Sequence, residues 1–345
     1  MKILYAIQGT GNGHLTRAME LVPLLKLRGE TDVLVSGTQS DLSLPFQVNH
    51  RFKGLSFIFG KNGGVDLWNT YLKMNSRQLL KDINALKVEK YDLVVSDFEP
   101  VSAWACQVAG TLCIGLSNQV ATLHPMAPKP PSNDQLGKLV LKHYAPTAIN
   151  YGLHFKALDD NVFTPVIRSA VRSCNSSNKG HYTVYLPSYA DWKIIKRLSK
   201  YRGVRWEVFS KHTSRRYRAG QFDVFPLETE RFLNSMAGSA GVLCNAGFGT
   251  TSEALFLRKK LLVVPMKTQY EQHCNAAMLK SMGVPVVKSI KEKHADAIQE
   301  WLDSGKVVEV NYEDNSMEII NLLFDRHAGM KKKISVKKNP YSIFQ

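Results

Sequence analysis

No run of this 345-residue chain is apolar for the ~20 residues that a membrane-spanning helix needs. The opening Met1–Ile7 segment is too short for a secretory leader and is quickly followed by glycines, so the expected location is the cytoplasm. Cysteine is scarce. Cys106, Cys113, Cys174, Cys244 and Cys274 show neither paired zinc spacing nor the density of a disulfide scaffold, and are read as reduced and mostly buried. Tandem repeats and low-complexity segments are absent. At 44% hydrophobic and 21% charged residues, the chain is an ordinary globular protein with room for two cored domains. Acidic residues are the remaining shortage: 29 Asp and Glu stand against 45 Lys and Arg, a formal net charge of +16. That surplus suits an anionic membrane surface, a nucleic acid or a phosphorylated substrate, and the lack of a recognisable nucleic-acid module counts against the second. The cations crowd at Lys331, Lys332, Lys333, Lys337 and Lys338, and again at Arg202, Arg205, Lys211, Arg215, Arg216 and Arg218. A solvated face is the commoner meaning of such runs.

What is present is a regular rhythm. Short apolar runs at Lys2–Ile7, Asp32–Ser36 and Leu93–Ser96 alternate with helical patterns at Leu15–Leu27 and Ser76–Leu86, as in a parallel α/β sheet. The second half repeats the theme, with strands expected near Thr183–Leu186, Trp206–Phe209, Gly241–Cys244, Leu261–Met266 and Val284–Val287. Between the halves lies a polar stretch with Pro165 and Ser173–Gly180, which reads as a linker. The expected organisation is therefore two doubly wound domains facing a cleft: an acceptor-side domain over 1–160, a linker over 161–180 and a ligand-binding domain over 181–320. The last segment, 321–345, is expected to form a helix and basic tail. The prolines of His124–Pro131 make that stretch a loop and a candidate lid. Phe57, Phe59, Trp68 and Tyr71 suit core packing first and membrane contact second.

Chemistry concentrates at strand ends. Val242–Cys244 pours into Asn245, Ala246, Gly247, Phe248, Gly249, Thr250 and Thr251, where glycines allow a ligand close to the backbone and a helix start offers free amides to an anion. Glu253 lies three residues after Thr250, so a capping box competes with a ligand-binding role. Glu271, Gln272 and Asn275 share a helix face by their spacing and suit a hexose, although a polar helix start explains them too. In the first half, Gly9–His14 is neither a phosphate-binding P-loop nor a dinucleotide fingerprint. His14 falls at a helix start, where a neutral imidazole can take a proton from an attacking hydroxyl, with a packing or capping role as the alternative. Asp97 and Glu99 end a strand in the same half. Either orients His14 or acts as base, and a helix cap is the competing role.

Together these residues resemble the GT-B glycosyltransferases, most of all glycosyltransferase family 28 and less characterised bacterial and archaeal relatives. The resemblance covers most of the chain and is most specific over Phe222–Gly283. It implies two Rossmann-like domains facing a central cleft, and final helices that cross back to the first. It also implies inverting transfer of a hexose or N-acetylhexosamine from a nucleoside-diphosphate sugar, UDP-linked by expectation, to a hydroxyl acceptor. By the same likeness, Phe225, Pro226 and Leu227 read the base, Glu253 the ribose, and Ala246–Thr251 with Ser188 the diphosphate. Glu271 and Gln272 grip the sugar, with Asn275 beside them. His14 or Asp97 is the base, and Gly11, Asn12, Gly13, Arg17 and Glu99 lie on the acceptor side. Arg17 or Lys211 would stabilise the leaving group. No cofactor and no metal are expected, since no Asp-x-Asp stands at a strand end. A lipid-linked acceptor at the inner face of the cytoplasmic membrane fits the basic charge. Asn12 and Phe248 depart from the lipid II enzyme pattern, so its acceptor does not carry over. A nucleotide-sugar 2-epimerase and a non-catalytic nucleotide-sugar-binding protein are the rival readings.

Overall fold

A computed structural model describes residues 1–37, 44–54, 76–131 and 134–330. Phe57, Phe59, Trp68, Tyr71 and the lysines from 331 onward lie outside the described residues. In chain order the first half runs β1 (Lys2–Gln8), α1 (Asn12–Lys26), β2 (Glu30–Ser36), β3 (His50–Phe52), α2 (Ser76–Ala85), β4 (Leu93–Asp97), α3 (Pro100–Ala109), β5 (Cys113–Ser117), α4 (Asn118–Leu123), α5 (Gln135–His143), β6 (Ile149–Leu153), β7 (Val162–Phe163) and the short α6 (Ser169–Arg172). The second runs β8 (His181–Tyr185), α7 (Asp191–Leu198), β9 (Arg205–Ser210), β10 (Tyr217–Ala219), β11 (Phe222–Pro226), α8 (Thr229–Gly238), β12 (Gly241–Cys244), α9 (Phe248–Phe256), β13 (Lys260–Val263), α10 (Tyr270–Ser281), α11 (Ala295–Asp303) and α12 (Ser316–His327).

Each half builds its own sheet. The first has the order β3-β2-β1-β4-β5-β6-β7 with every pairing parallel. The second has the order β10-β11-β9-β8-β12-β13, parallel except where β10 meets β11. Parallel strands covered on both faces need apolar residues at successive positions, which is why Ile3–Ile7 and Gly241–Cys244 read as continuous buried runs. Side chains still alternate in direction. Val242 and Cys244 join the core under α8, α9 and α10, whereas Leu243 joins the opposite core under α7 and α11. Strand order reverses between β1 and β4 in the first sheet and between β8 and β12 in the second. Ligands of such sheets bind outside the carboxyl ends of the strands at those reversals.

Two expected strands are corrected. Val284–Val287 makes a single bridge, Val286 to Val263, because Pro285 has no amide to donate. The Leu261–Met266 strand stops at Val263, two residues before Pro265. The sequence rhythm also passed over β5, β6 and β11. β7 carries the first sheet to Phe163, so the connection between the sheets spans 164–180. α12 returns to the first half and packs on α1, with the Tyr151 hydroxyl and His327 Nε2 at 2.7 Å.

Candidate active site

The first reversal brings three expected residues together. Gly11, with φ of 93°, turns the chain from β1 into α1, placing His14 and Arg17 one turn apart on the helix's inner side. Asp97 ends β4 beside them and is fully buried. One carboxylate oxygen meets His14 Nδ1 at 2.8 Å, and the other accepts from Arg17 Nε at 2.8 Å. Burial alone would push the Asp97 carboxyl up, but the Arg17 charge and then His14 outweigh it and hold it below the ordinary carboxylate value. Because the carboxylate is the charged acceptor, His14 donates its Nδ1–H to it, which leaves the Nε2 lone pair facing the cleft. Arg17 is 8% exposed and pairs with Asp97 through Nε and Nη2, beside the place where its sequence-expected partners, acceptor and leaving group, would lie.

Glu99 is corrected. It is buried, and its carboxylate accepts from the Val101 and Ser102 amides at 2.7 and 2.6 Å and from the Ser36 hydroxyl. It is the N-cap of α3, the competing role given above, and has no face toward an acceptor.

The second half meets this group through a residue that sequence reasoning missed. Gln119, at the start of α4, directs its amide nitrogen 2.9 Å from Glu271 Oε2 and 3.4 Å from His14 Nε2. Gln119 thus bridges the two halves across the cleft. Burial raises the Glu271 carboxyl above its ordinary value, against the nearby positive groups. Gln119 Oε1 and Asn12 Oδ1 are buried with no hydrogen-bond partner among the described residues. No local signal marks Gln119: it follows β5, whose interior Gly115 weakens the strand pattern that would lead to it.

At the second reversal α9 starts at Phe248, three residues earlier than the capping-box reading requires. Gly247 is its N-cap with no side-chain cap bond, and the Thr251 hydroxyl donates back to the Gly247 carbonyl at 2.7 Å. Thr250 is half-buried and caps nothing. Glu253 is consequently in the second turn, not the first. Arg168 of the connection grips it with both arms, Nε to Oε1 at 2.5 Å and Nη2 to Oε2 at 2.7 Å. Arg168 carries no local signal in the sequence, its partner lying 85 positions on. A Cβ added to Gly13, Gly247 or Gly249 would meet nothing within 4 Å. These glycines are therefore not demanded by packing, and they leave the backbone open to the cleft.

Other expected ligand residues are used by the fold. Phe225 is 2% exposed in the core, its ring 3.8 Å below the Arg231 guanidinium. Beyond Pro226, the Leu227 amide already donates to the Ser210 carbonyl at 3.2 Å. Phe248 packs against Phe155 of the first half at 5.1 Å, and Ala246 is fully buried. Gln272 Oε1 accepts the Met266 amide at 3.0 Å, and Asn275 Nδ2 donates to the Ala246 carbonyl at 3.1 Å, so both side chains shape the loops around the site. Ser188 lies at the exit of β8, 3.5 Å from Asn245 Oδ1. Among the described residues no three His, Cys, Asp or Glu side chains cluster as metal ligands. No helix among them is long and apolar enough to cross a membrane.

Two doubly wound domains with reactive groups at one strand-order reversal and an open glycine-lined helix start at the other define a GT-B glycosyltransferase. A family model for glycosyl transferase family 1 matches residues 1–304, and the chain belongs to that family. Solved structures agree on the fold. MurG of Acinetobacter baumannii superposes with a TM-score of 0.56 at 11% identity, covering 94% of this chain and 99% of that one. UGT2 of Phytolacca americana, complexed with UDP-2-fluoroglucose and pterostilbene, gives 0.55 at 14% identity, over 98% and 95%. The glycosyltransferase SsfS6 of Streptomyces sp. SF2575, complexed with thymidine diphosphate, gives 0.55 at 14% identity, over 97% and 98%. A search of curated proteins by sequence finds no match.

Proposed function

We propose that the protein transfers a hexose or N-acetylhexosamine, with inversion and without a metal or other cofactor, from a UDP-sugar to a hydroxyl acceptor. The observation that carries this reading is the line His14–Gln119–Glu271, which sets an imidazole with a carboxylate behind it opposite a half-buried carboxylate of the other half. In the proposed reaction His14 Nε2 removes the acceptor hydroxyl proton while that oxygen attacks the anomeric carbon. The bond from that carbon to the diphosphate breaks, and its electron pair leaves with the nucleoside diphosphate. Asp97 is a positioning residue here: its buried, doubly bonded carboxylate fixes the imidazole and does not reach an acceptor. Gly247 and Gly249 leave room for the diphosphate at the amides that start α9, which with Lys211 offset its charge. Glu271 accepts from sugar hydroxyls, and the unpartnered oxygens of Gln119 and Asn12 accept from others.

UGT2 was solved with a UDP-sugar analogue and SsfS6 with thymidine diphosphate, which supports a nucleotide-sugar donor for this chain as well. The net charge of +16 fits an acceptor presented at an anionic membrane, with the protein cytoplasmic and peripheral. The test is release of nucleoside diphosphate from a panel of UDP-sugars, with and without hydroxyl acceptors and with excess EDTA. The proposal expects acceptor-dependent release that EDTA leaves unchanged and that His14→Ala lowers ~10²–10⁴-fold. An acceptor-free sugar isomer as the product would replace transfer by epimerisation.

A further inference from the structure

We infer that Tyr270 is a positioning residue: its ring, seated in an apolar socket of the first half, couples closure of the cleft to the alignment of His14. Its effect on turnover rests on the proposed function; its effect on the imidazole does not.

α10 begins against α4 and α5 of the first half. There Tyr270 and Cys274, one turn apart, pack with Phe98, Leu141 and Tyr144 in a small core distinct from those under the two sheets. Tyr270 is buried there although it belongs to the opposite half. The two helices meet closely, since a Cβ on Gly137 of α5 would lie 2.6 Å from Tyr270 Cβ and 2.6 Å from Asp134 Oδ2. The Asp134 oxygen is the end of a side chain and can turn aside, whereas Tyr270 Cβ is fixed to its helix. The socket itself is held within the first half. The Tyr144 hydroxyl accepts from Gln8 Nε2 at 2.7 Å, and the Tyr144 carbonyl accepts from Trp104 Nε1 at 3.2 Å.

Phe98 links this socket to the reactive groups. Its φ of 55° lies in the left-handed region, which a bulky residue adopts only where its surroundings fix it. Both neighbours are fixed: Asp97 by Arg17 and His14, and Glu99 by the first amides of α3. The ring between them stacks on Tyr144 at 4.9 Å, in the cluster that Tyr270 completes. Three successive side chains are thus anchored in three directions, and the middle anchor draws on the second half. Next to Tyr270 in the chain, Glu271 meets Gln119 at 2.9 Å. Seating one ring therefore sets the donor-half carboxylate and supports Asp97 behind His14.

The test compares Tyr270→Ala, Tyr270→Phe and Gly137→Ala in the full chain by the ¹⁵N shifts of the His14 ring, by steady-state kinetics and by urea unfolding. Tyr270→Ala empties the socket and Tyr270→Phe refills it. Gly137→Ala favours α5 locally yet drives a methyl group into Tyr270. In Tyr270→Ala and Gly137→Ala the His14 ring is expected to lose its single tautomer, and kcat/KM to fall roughly fivefold or more, the size of an ordinary coupling between sites. Tyr270→Phe should keep both near wild type. A ring that merely packs would lower the urea midpoint and leave the His14 shifts alone. Wild-type His14 shifts or wild-type kcat/KM in either folded variant, or failure of Tyr270→Phe to preserve them, would overturn the inference. Should Tyr270→Ala not fold, Gly137→Ala decides by itself. If the wild type turns over no nucleotide sugar, the transfer reading falls and the ring shifts still decide this one.

Discussion

Asp97→Asn takes a charge out of the centre of the cleft while keeping the shape of the side chain. The carboxylate is fully buried and serves Arg17 and His14 together, with Arg17 Nε and His14 Nδ1 each at 2.8 Å. Arg17 is 8% exposed, so the variant strands a guanidinium without a counter-charge, a loss of about 3–5 kcal/mol. Against a total stability of about 5–15 kcal/mol this is a large fraction, and the melting temperature should fall on the order of 10 °C. Adding Arg17→Met removes the orphan charge, and most of the stability should return. Turnover should not return, because no charged acceptor then holds the Nδ1 proton and the imidazole tautomer is no longer set. A loss of ~10²–10⁴-fold is expected in both variants. Acidification supplies a second handle. The folded pKa of Asp97 is depressed, so its contribution is present above the ordinary value near 3.8 and is lost as pH falls through the lower folded value. The stability gap between wild type and Asp97→Asn should close in that acid window. Urea unfolding, nucleoside diphosphate release and the ¹⁵N shifts of the His14 ring measure the three quantities. A wild-type midpoint for Asp97→Asn, or wild-type turnover in the double variant, would refute the reasoning.

Gln119→Leu keeps the bulk of the bridging side chain and removes both of its polar atoms; kcat/KM should drop roughly ten- to a hundredfold and urea unfolding should show a loss of about 1–3 kcal/mol, because the half-buried Glu271 carboxylate loses its donor. Gly247→Ala and Gly249→Ala place a methyl group where nothing lies within 4 Å, so stability should hold or rise by about 0.5 kcal/mol while UDP affinity measured by calorimetry falls at least tenfold. Lys259→Met should cost about 3 kcal/mol in urea unfolding, because the ammonium donates to the carbonyls of Ser177, Ala237 and Ser239, which lose their partner together.

The parts of this molecule legible in its sequence are those where local pattern and tertiary need coincide. β1 and β12 are buried for the same reason that they are apolar, and His14 and Asp97 are reached by counting to the ends of strands. Competing roles at those strand ends were harder to separate. Glu99 and Glu253 look alike as acids near helix starts, yet one caps α3 and the other pairs with Arg168. Only long-range geometry distinguishes a cap from an ion pair, since Arg168 is remote in the chain. Gln119 was lost one step earlier, with the strand that delivers it.

The contacts that close the cleft have the chemistry of the ligand they face. Gln119 donates to Glu271 and Arg168 donates to Glu253, so each acid that the family resemblance assigns to the donor already holds a donor from the first half or the connection. A sugar hydroxyl approaching Glu271 would replace an N–H with an O–H, and the exchange leaves that half-buried carboxylate satisfied throughout. That matters energetically, because an unpaired polar group in such a place costs about 1–3 kcal/mol. Phe155 against Phe248 and α12 against α1 join the two halves through contacts other than the Gln119 bridge. On the proposed function, the bridge through Gln119 is thus a stand-in for substrate, released when substrate arrives, and the same movement frees the Nε2 of His14 for the acceptor hydroxyl.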